Sequence, residues 1–212
     1  MKAKDIWDKI HNSYSSQDWI NKPSIFAESV VPLFPRVGKI LEIGGGLGQD
    51  SKYFSELGYT VLLTDISEDA LIKAKESFKP DSSIETKVLD ISKPLPFDND
   101  SFDVVYSHLS IHYFNTETTK SIFKEVRRVL RTGGIFAILL NSTTDPEYNT
   151  GDKIEENYFN IDSLPKRFFD EKSILEFAKD FEAVLVDNKG ESYKDQKKGI
   201  HNLIRYIGRR SY

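Results

Sequence analysis

Hydrophobic and polar residues alternate along the chain in blocks that predict strands and helices in turn. Short apolar or β-branched runs predict five strands, at 39–43, 60–65, 84–89, 102–107 and 135–140. The last two runs are almost continuously apolar, which is typical of central strands in a parallel sheet. Helical spacing separates most of the strands, most clearly where apolar residues recur at Ile122, Phe123, Val126, Val129 and Leu130. That helix is predicted to end at Gly133 and Gly134.

The C-terminal part of the chain predicts one more helix and two more strands. Asp170 is a candidate N-cap, and the apolar face that follows it comprises Ile174, Leu175, Ala178 and Phe181. The runs 183–187 and 201–207 predict strands that form an antiparallel pair. Strands that alternate with helices favour an α/β fold, a three-layer sandwich around a mostly parallel sheet. In such a fold the ligand site lies at the carboxyl ends of the strands.

A glycine-rich turn directly after the first strand is the most informative motif. The segment from Glu42 to Gly48 reads EIGGGLG and lies between a predicted strand and a predicted helix. Glycine tolerates positive φ and lets a ligand approach the backbone, and the amides at the start of the helix can face a polar or anionic group. The alternative is a tight turn that holds no ligand.

Two aspartates follow the next two strands. Asp65 ends the second strand, 17 positions after Gly48, where a carboxylate can accept hydrogen bonds from both hydroxyls of an adenosine ribose. Asp90 repeats this arrangement after the third strand and is a candidate partner for the exocyclic amine of adenine. Taken singly, each is also consistent with an aspartate that caps a helix or shapes a turn. Together with the glycines they indicate a nucleoside site.

In this order the motifs resemble those of a class I S-adenosylmethionine-dependent methyltransferase. The likeness rests on the glycine turn, the two aspartates, and the segments PLPFDNDSFDVVYS and RRVLRTGGIFAI, and it covers roughly residues 36–141. It implies a Rossmann-like, mostly parallel sheet of seven strands whose last strand is antiparallel. It also implies S-adenosyl-L-methionine as the cofactor and S-adenosyl-L-homocysteine as the product. The residues that the resemblance implies for cofactor binding are Glu42, Gly44, Gly45, Gly46, Gly48, Asp65, Ile66, Asp90, Ile91 and Ser107.

Within that family, the segment SHLSIHYF at 107–114, the pair Gln49-Asp50 and an early Trp and Tyr are similar to small bacterial methyltransferases grouped with tellurite-resistance and thiopurine enzymes. This finer likeness implies a small-molecule acceptor. An acceptor that carries a proton is helped by a base, and His112 is the first candidate because imidazole titrates near neutral pH. His108 is the second candidate. The alternative for both is a side chain that shapes the pocket or caps a helix.

The composition of the chain and a few of its residues argue against several kinds of reaction and partner. The chain of 212 residues contains no cysteine, which excludes thiol nucleophiles, cysteine metal sites and disulfides. Ser107 stands where metal-dependent relatives place an acid, and no carboxylate and histidine cluster has ligand spacing, so no metal is predicted. The net charge is -4, and Tyr106-Ser107-His108 differs from the Asn/Asp-Pro-Pro-Tyr/Phe motif of enzymes that methylate nucleic-acid bases. No nucleic-acid partner is therefore expected.

No apolar stretch resembles a membrane span, and the first thirty residues carry charges throughout, unlike a secretory signal. A cytoplasmic protein without a membrane partner is expected, and its oligomeric state is open. A single methyltransferase domain over 1–212 is predicted to comprise an N-terminal helical cap (1–35), a cofactor-binding core (36–141), a lid or substrate loop (142–169), and a C-terminal helix with an antiparallel strand pair (170–212).

The polar segment after the fifth strand is predicted to be irregular, as lids and binding loops often are. Four N-terminal aromatics are candidates to close over the pocket with it, or else to pack in the core: Trp7, Tyr14, Trp19 and Phe26. Five cations are candidates for a basic rim, or else are scattered surface charges: Lys166, Arg167, Arg205, Arg209 and Arg210.

Two other functions use similar residues. A nicotinamide-dependent oxidoreductase shares the glycine turn and the acid after the second strand, but its glycines follow the spacing G-x-G-x-x-G. In this chain Gly44, Gly46 and Gly48 are spaced two by two, and no second half supplies a nicotinamide site. A non-catalytic protein that retains the cofactor fold would keep the same residues.

Overall fold

The computed structural model describes residues 3–14, 17–80, 82–193 and 202–211. In chain order the strands are β1 (Lys39–Ile43), β2 (Thr60–Asp65), β3 (Ile84–Val88), β4 (Phe102–His108), β5 (Leu130–Leu140), β6 (Asp152–Glu155), β7 (Tyr158–Ile161), β8 (Leu164–Arg167), β9 (Glu182–Gly190) and β10 (Leu203–Arg209). The α-helices are α1 (Ala3–Tyr14), α2 (Ile25–Val30), α3 (Gln49–Glu56), α4 (Glu68–Ser77), α5 (Thr116–Val129) and α6 (Glu171–Phe177). Short 3-10 helices cover Asp18–Asn21, Val31–Leu33 and Ile111–Tyr113.

Seven strands form the main sheet in the order β3-β2-β1-β4-β5-β10-β9. Strand β10 is antiparallel to both of its neighbours, while β1 to β5 pair in parallel. The predicted three-layer α/β sandwich with an antiparallel last strand is therefore confirmed. Strand order reverses between β1 and β4, so a crevice opens at their carboxyl ends, where ligands bind in sheets of this kind.

The core covers both faces of this sheet because successive residues of each strand point to opposite sides. Leu41 belongs to the cluster under α5 and α6, which includes Phe123 and Ile174. Its neighbour Ile40 belongs to the cluster under α2 and α3, which includes Phe26 and Phe54. The glycine turn is thus carried on a strand that is buried from both sides.

Local capping explains where the helices near the site begin and end. The Ser67 hydroxyl accepts a hydrogen bond from the Ala70 amide and caps the start of α4. After α3, Gly58 has φ 93° and donates to the Ser55 carbonyl, while the Tyr59 amide donates to the Phe54 carbonyl. This pair of bonds is a Schellman motif, which ends α3 before Gly58.

Three details differ from the sequence predictions. Helix α5 ends at Val129, and β5 begins at Leu130, so Gly133 (φ 80°) lies in an irregular part of β5, where the register shifts against β4. Leu175 is 43% exposed and does not join the buried face of α6, although Ile174 does. The last strand starts at Leu203; the predicted start at His201 lies outside the described residues.

The segment predicted as an irregular lid contains a second sheet, with the strand order β6-β7-β8. Residues Asp162 and Ser163 have φ values of 50° and 66° and form the two-residue turn between β7 and β8. The small sheet has its own apolar cluster, formed by Phe159, Ile161 and Phe168. Regular pairing and this cluster, rather than irregular backbone, order the segment.

The candidate basic rim does not form as predicted. Arg167, the last residue of β8, is 3% exposed and is buried between the Phe114 carbonyl and the Tyr158 ring. The other four cations each pair with a carboxylate, namely Glu147, Asp187, Glu182 and Asp100.

None of the helices in the described ranges combines the length and the apolar character that a bilayer crossing requires. Nor do the described residues bring together three or more His, Cys, Asp or Glu side chains able to hold a metal ion.

Candidate functional site

A cavity of about 510 Å³ opens at the carboxyl ends of β1, β2 and β4. Its wall includes nine of the residues predicted from the sequence: Glu42, Gly44, Gly45, Gly46, Asp65, Ile66, Asp90, Ile91 and His108. Helix α1, the turn at 163–165 and the pair Ser192 and Tyr193 supply other parts of the wall. Residues that lie far apart in the sequence therefore meet in one concave site.

The glycine turn is shaped by close approaches as well as by its backbone angles. Gly44 and Gly46 have φ values of 67° and 54°. A Cβ at Gly44 would overlap the Ser110 side chain, and a Cβ at Gly46 would lie 2.6 Å from Cε1 of His11. Any larger residue would thus displace the turn toward or away from the cavity, which accounts for glycine at both positions.

Gly48 has a different role from the one predicted. Its φ is 74°, and a Cβ there would lie 2.8 Å from Cζ of the Phe78 ring. Within the described part of the chain it does not line the cavity. Gly48 therefore allows α3 to start against the neighbouring layer, and its cofactor-binding role is not supported by its position.

Asp65 connects the glycine turn to the next helix. The carboxylate is 5% exposed and accepts hydrogen bonds of 2.9 Å from the Gly46 amide and from the Ser67 amide. The side chain still lines the cavity. Asp90 is held in a similar way, because its Oδ1 accepts from both the amide and the hydroxyl of Ser92. Both acids are thus fixed in place at the predicted strand ends.

Two further buried carboxyl groups lie behind the turn. Glu42 accepts a hydrogen bond from the Ser51 hydroxyl, and burial raises its pKa to about 8, with the nearby charge of Asp50 adding to the shift. Asp50 accepts from the amide and hydroxyl of Ser24, at 2.6 and 2.8 Å, and from the Tyr106 hydroxyl at 2.7 Å. Burial also raises the pKa of Asp50. Both groups line the cavity, where their carboxyl oxygens can accept hydrogen bonds from a ligand.

The two candidate bases occupy different positions. His108 ends β4 and lines the cavity. His112 is 2% exposed, packs 4.2 Å from the Tyr113 ring between centroids, and does not belong to the described lining. The order of the two candidates is therefore corrected: His108 faces the site. The cause is local, since Leu109 adopts φ 54° and the following 3-10 helix carries His112 inward.

Ser107 is also buried away from the described wall. Its hydroxyl lies 2.6 Å from the Ser110 hydroxyl, which in turn donates to the Ile43 carbonyl at 2.9 Å. These bonds connect the end of β4 to the start of the glycine turn. Ser107 therefore supports the site from behind and does not form part of its surface.

Several residues of the cavity wall were not predicted from the sequence, or were predicted only as one of two alternatives. Trp7 and Tyr14 line the cavity as predicted for the N-terminal aromatics, and Trp7 packs edge-on against Tyr113 at 4.7 Å. Phe26 instead packs in the core, 1% exposed. The side chain of Trp19 lies outside the described residues. Asp50 and His11 were not predicted as site residues. Asp50 lies in the first turn of α3, directly after the glycine turn, and His11 reaches the cavity because α1 packs onto it.

The sheet order and the acids at its strand ends define a class I S-adenosylmethionine-dependent methyltransferase fold. Residues 41–138 match a family model described as a methyltransferase domain. Over these residues the chain is therefore similar to the methyltransferase domains that the motifs predicted.

Two relatives and one solved structure illustrate the likeness. The chain is 36% identical over 101 residues to an uncharacterized methyltransferase of Synechocystis, covering 48% of this chain and 46% of that one. It is 28% identical over 164 residues to TehB of Haemophilus influenzae, named as a probable S-adenosyl-L-methionine-dependent methyltransferase, covering 76% and 52%. The chain thus spans about half the length of these curated relatives. A SAM-dependent methyltransferase structure from Methanosarcina mazei has the same fold, with TM-score 0.74, 22% identity and coverage of 86% and 97%.

Proposed function

We propose that this chain transfers a methyl group from S-adenosyl-L-methionine to a small-molecule acceptor by in-line displacement. The observation that carries the proposal is the meeting of the glycine turn, Asp65 and Asp90 in one cavity, although Gly44 and Asp90 lie 46 positions apart in the sequence. The relatives named above are methyltransferases. Nothing in them supports a nicotinamide-dependent oxidoreductase or a non-catalytic protein.

The size and chemistry of the cavity fit this cofactor. A volume of about 510 Å³ is typical of small-molecule sites. The carboxyl oxygens of Glu42 and Asp50 can accept hydrogen bonds from the ammonium group of the methionine part, and the side-chain-free turn leaves room for it. Asp65 would hold the ribose hydroxyls, with Ile66 beside it, and Asp90 with Ile91 would hold the adenine. When bound, the cofactor supplies a methyl group already activated on a sulfonium.

The chain mainly has to position the acceptor and exclude water. Holding the two reactants in line can contribute on the order of 7 to 11 kcal/mol toward the barrier. Trp7, Tyr113 and the turn at 163–165 line the open side of the cavity and are suited to hold a small organic acceptor. His108 is the residue that can take a proton from an acceptor hydroxyl or ammonium at its imidazole nitrogen.

The remaining assignments are also proposals. A chain with a net charge of -4 favours a small-molecule acceptor over a nucleic acid. Its lack of cysteine is compatible with a reducing compartment such as the cytoplasm. We propose that the whole chain, 1–212, is a single domain in which α1, α2 and the small sheet of β6 to β8 cover the cofactor-binding core.

Ligand-dependent stability tests the cofactor first. Thermal unfolding is measured with S-adenosyl-L-methionine, S-adenosyl-L-homocysteine and NAD in parallel, because a ligand that binds only the native state raises the melting temperature. We expect the first two compounds to raise it and NAD to leave it unchanged. Transfer of a radiolabelled methyl group to metabolite pools then identifies the acceptor. A shift with NAD alone would overturn the proposal.

The role of His108 is tested with the acceptor found in that screen. For an acceptor that loses a proton, His108→Gln is expected to lower kcat by about 10² to 10⁴ and to remove the ionisation near neutral pH from the pH–rate profile. His112→Gln is the matched control and should retain that ionisation, because its side chain lies behind the wall. A profile that loses the ionisation in His112→Gln and keeps it in His108→Gln would reverse the assignment.

A further inference from the structure

Helix α1 places one imidazole directly over the glycine turn and Asp65. His11 Nε2 lies 3.6 Å from Oδ2 of Asp65, and the side chains of His11 and Asp65 are only 13% and 5% exposed. The same ring is the reason why Gly46 tolerates no Cβ. His11 therefore forms the wall opposite the carboxylate that ends β2, and it lies before the matched region 41–138.

The ring nitrogen that faces Asp65 lacks a hydrogen-bond partner in the described part of the chain. Among the residues that the structure describes, none hydrogen-bonds to His11 Nε2, although that atom is buried. A separation of 3.6 Å is too long for a direct hydrogen bond to Asp65. Buried polar atoms are nearly always paired, and leaving one unpaired is unfavourable. One oxygen can lie within hydrogen-bond distance of both Nε2 and Oδ2, so the geometry suits a ligand hydroxyl between them.

The position of His11 is built into the packing of α1. One turn earlier, Asp8 Oδ1 accepts a hydrogen bond of 2.5 Å from Ser67, the N-cap of α4. That bond, followed by the bond from Lys4, lowers the pKa of Asp8 and keeps it ionised. One residue later, Asn12 accepts from Lys73 on α4. The partly buried Ser67–Asp8 bond therefore holds α1 against α4, the helix that follows Asp65, whereas the Lys73–Asn12 contact is exposed and secondary.

We infer that His11 is a further cofactor-binding residue, which grips the ribose diol of the adenosine together with Asp65. Asp65 accepts a hydrogen bond from a ribose hydroxyl, and His11 Nε2 donates to or accepts from a hydroxyl of the same diol. This inference rests on the proposed function. It makes α1 a part of the cofactor site and predicts selectivity for a ribose that carries both hydroxyls, because a site built to pair a hydroxyl disfavours an analogue without it.

Calorimetric affinities for S-adenosyl-L-homocysteine and for its 2′-deoxy and 3′-deoxy analogues test the inference. We expect the native chain to prefer the full diol. His11→Ala is expected to weaken binding of the full compound about tenfold and to bind at least one deoxy analogue as tightly as the full compound. His11→Gln, which keeps a polar group at this position, should recover part of the preference.

Asn12→Ala is the matched control, because it removes a contact of α1 with α4 and does not alter the described cavity wall. It should bind like the native chain. The inference is overturned if His11→Ala keeps the native affinity and preference, if it binds more tightly, or if Asn12→Ala weakens binding equally. Melting temperatures without ligand verify that each variant is folded. If the native chain binds none of the three compounds, the proposed function fails instead.

Discussion

The two sides of the cavity are built in different ways. The cofactor side consists of the glycine turn, Asp65 and Asp90, and each of these follows directly from the strand that carries it. The opposite side, which we call the cover, consists of α1, the turn at 163–165 and Tyr113. Its members are positioned by contacts between distant segments. The residues proposed to bind the methyl donor are therefore positioned by short stretches of sequence, whereas the surface proposed to choose an acceptor depends on tertiary packing.

The cover is anchored mainly through one buried cation, so the largest expected effect is on Arg167. Its guanidinium donates to Glu155 at 2.7 Å and to the carbonyls of Phe114 and Glu156 at 3.1 and 3.2 Å, and it lies 4.9 Å from the centroid of the Tyr158 ring. Arg167→Met leaves these acceptors without their donor. We expect a loss of about 3 kcal/mol in the free energy of unfolding, which lowers the melting temperature by about 6 to 12 °C.

The matched control for Arg167 is Arg205→Met. Arg205 pairs with Asp187 across β10 and β9, neither residue belongs to the described cavity wall, and both side chains are 20% exposed. A more exposed pair should cost about 1 kcal/mol or less. Equal losses in the two variants would contradict a special anchoring role for Arg167. If the two sides of the cavity are as distinct as described, folded Arg167→Met retains S-adenosyl-L-homocysteine binding while its acceptor turnover falls.

Features set by short stretches of sequence were predicted, whereas features that depend on tertiary packing were not. The mostly parallel main sheet and the places of Gly44, Asp65 and Asp90 were predictable, because strand periodicity and glycine turns act over a few residues. The small sheet was missed because its β7–β8 turn uses Asp162-Ser163 instead of a glycine pair, although both residues adopt positive φ. Similarly, Arg167 was expected at the surface, and only its position under Tyr158 explains its burial.

The candidate site was predicted less completely than the fold. His112 and His108 were indistinguishable in the sequence, because the choice depends on the left-handed Leu109 that precedes the 3-10 helix. His11 gave no local pattern, because it reaches the cavity only through the docking of α1, where Asp8 accepts from Ser67. Asp50 follows the glycine turn directly, but its burial depends on Ser24, which the sequence does not place beside it. A sequence pattern that carries no information on helix docking could not assign either residue to the site.

A smaller effect is expected on the pH dependence of the free energy of unfolding, and it arises from Glu42 on the cofactor side of the cavity. Burial raises the pKa of Glu42 from 4.5 to about 8, so the native state holds a proton that the unfolded chain releases above about pH 4.5. Glu42 makes its full contribution to the free energy of unfolding below about pH 4.5, and this contribution is lost as the pH rises toward 8. Glu42→Gln should flatten the decline of unfolding free energy between about pH 5.5 and 8, by at most about 1.4 kcal/mol per pH unit.

Denaturant unfolding at several pH values measures this slope. Glu125→Gln is the control, because the bond from Arg128 lowers the pKa of Glu125 and its contribution disappears only as the pH falls into the acid range. Its slope between pH 5.5 and 8 should match that of the native chain. A Glu42→Gln slope equal to the native one would show that Glu42 is ionised in the folded protein at neutral pH.

The central claim is that an adenosine cofactor lies on the cofactor side with its ribose on Asp65. Calorimetric titration of S-adenosyl-L-homocysteine into the native chain and into Asp65→Asn tests it most directly, since asparagine keeps the shape of the side chain and removes its charge. We expect clear binding to the native chain and an affinity at least about tenfold weaker in the folded variant, because a hydrogen bond to a charged group is stronger than one between neutral groups. An unchanged affinity in Asp65→Asn would contradict it.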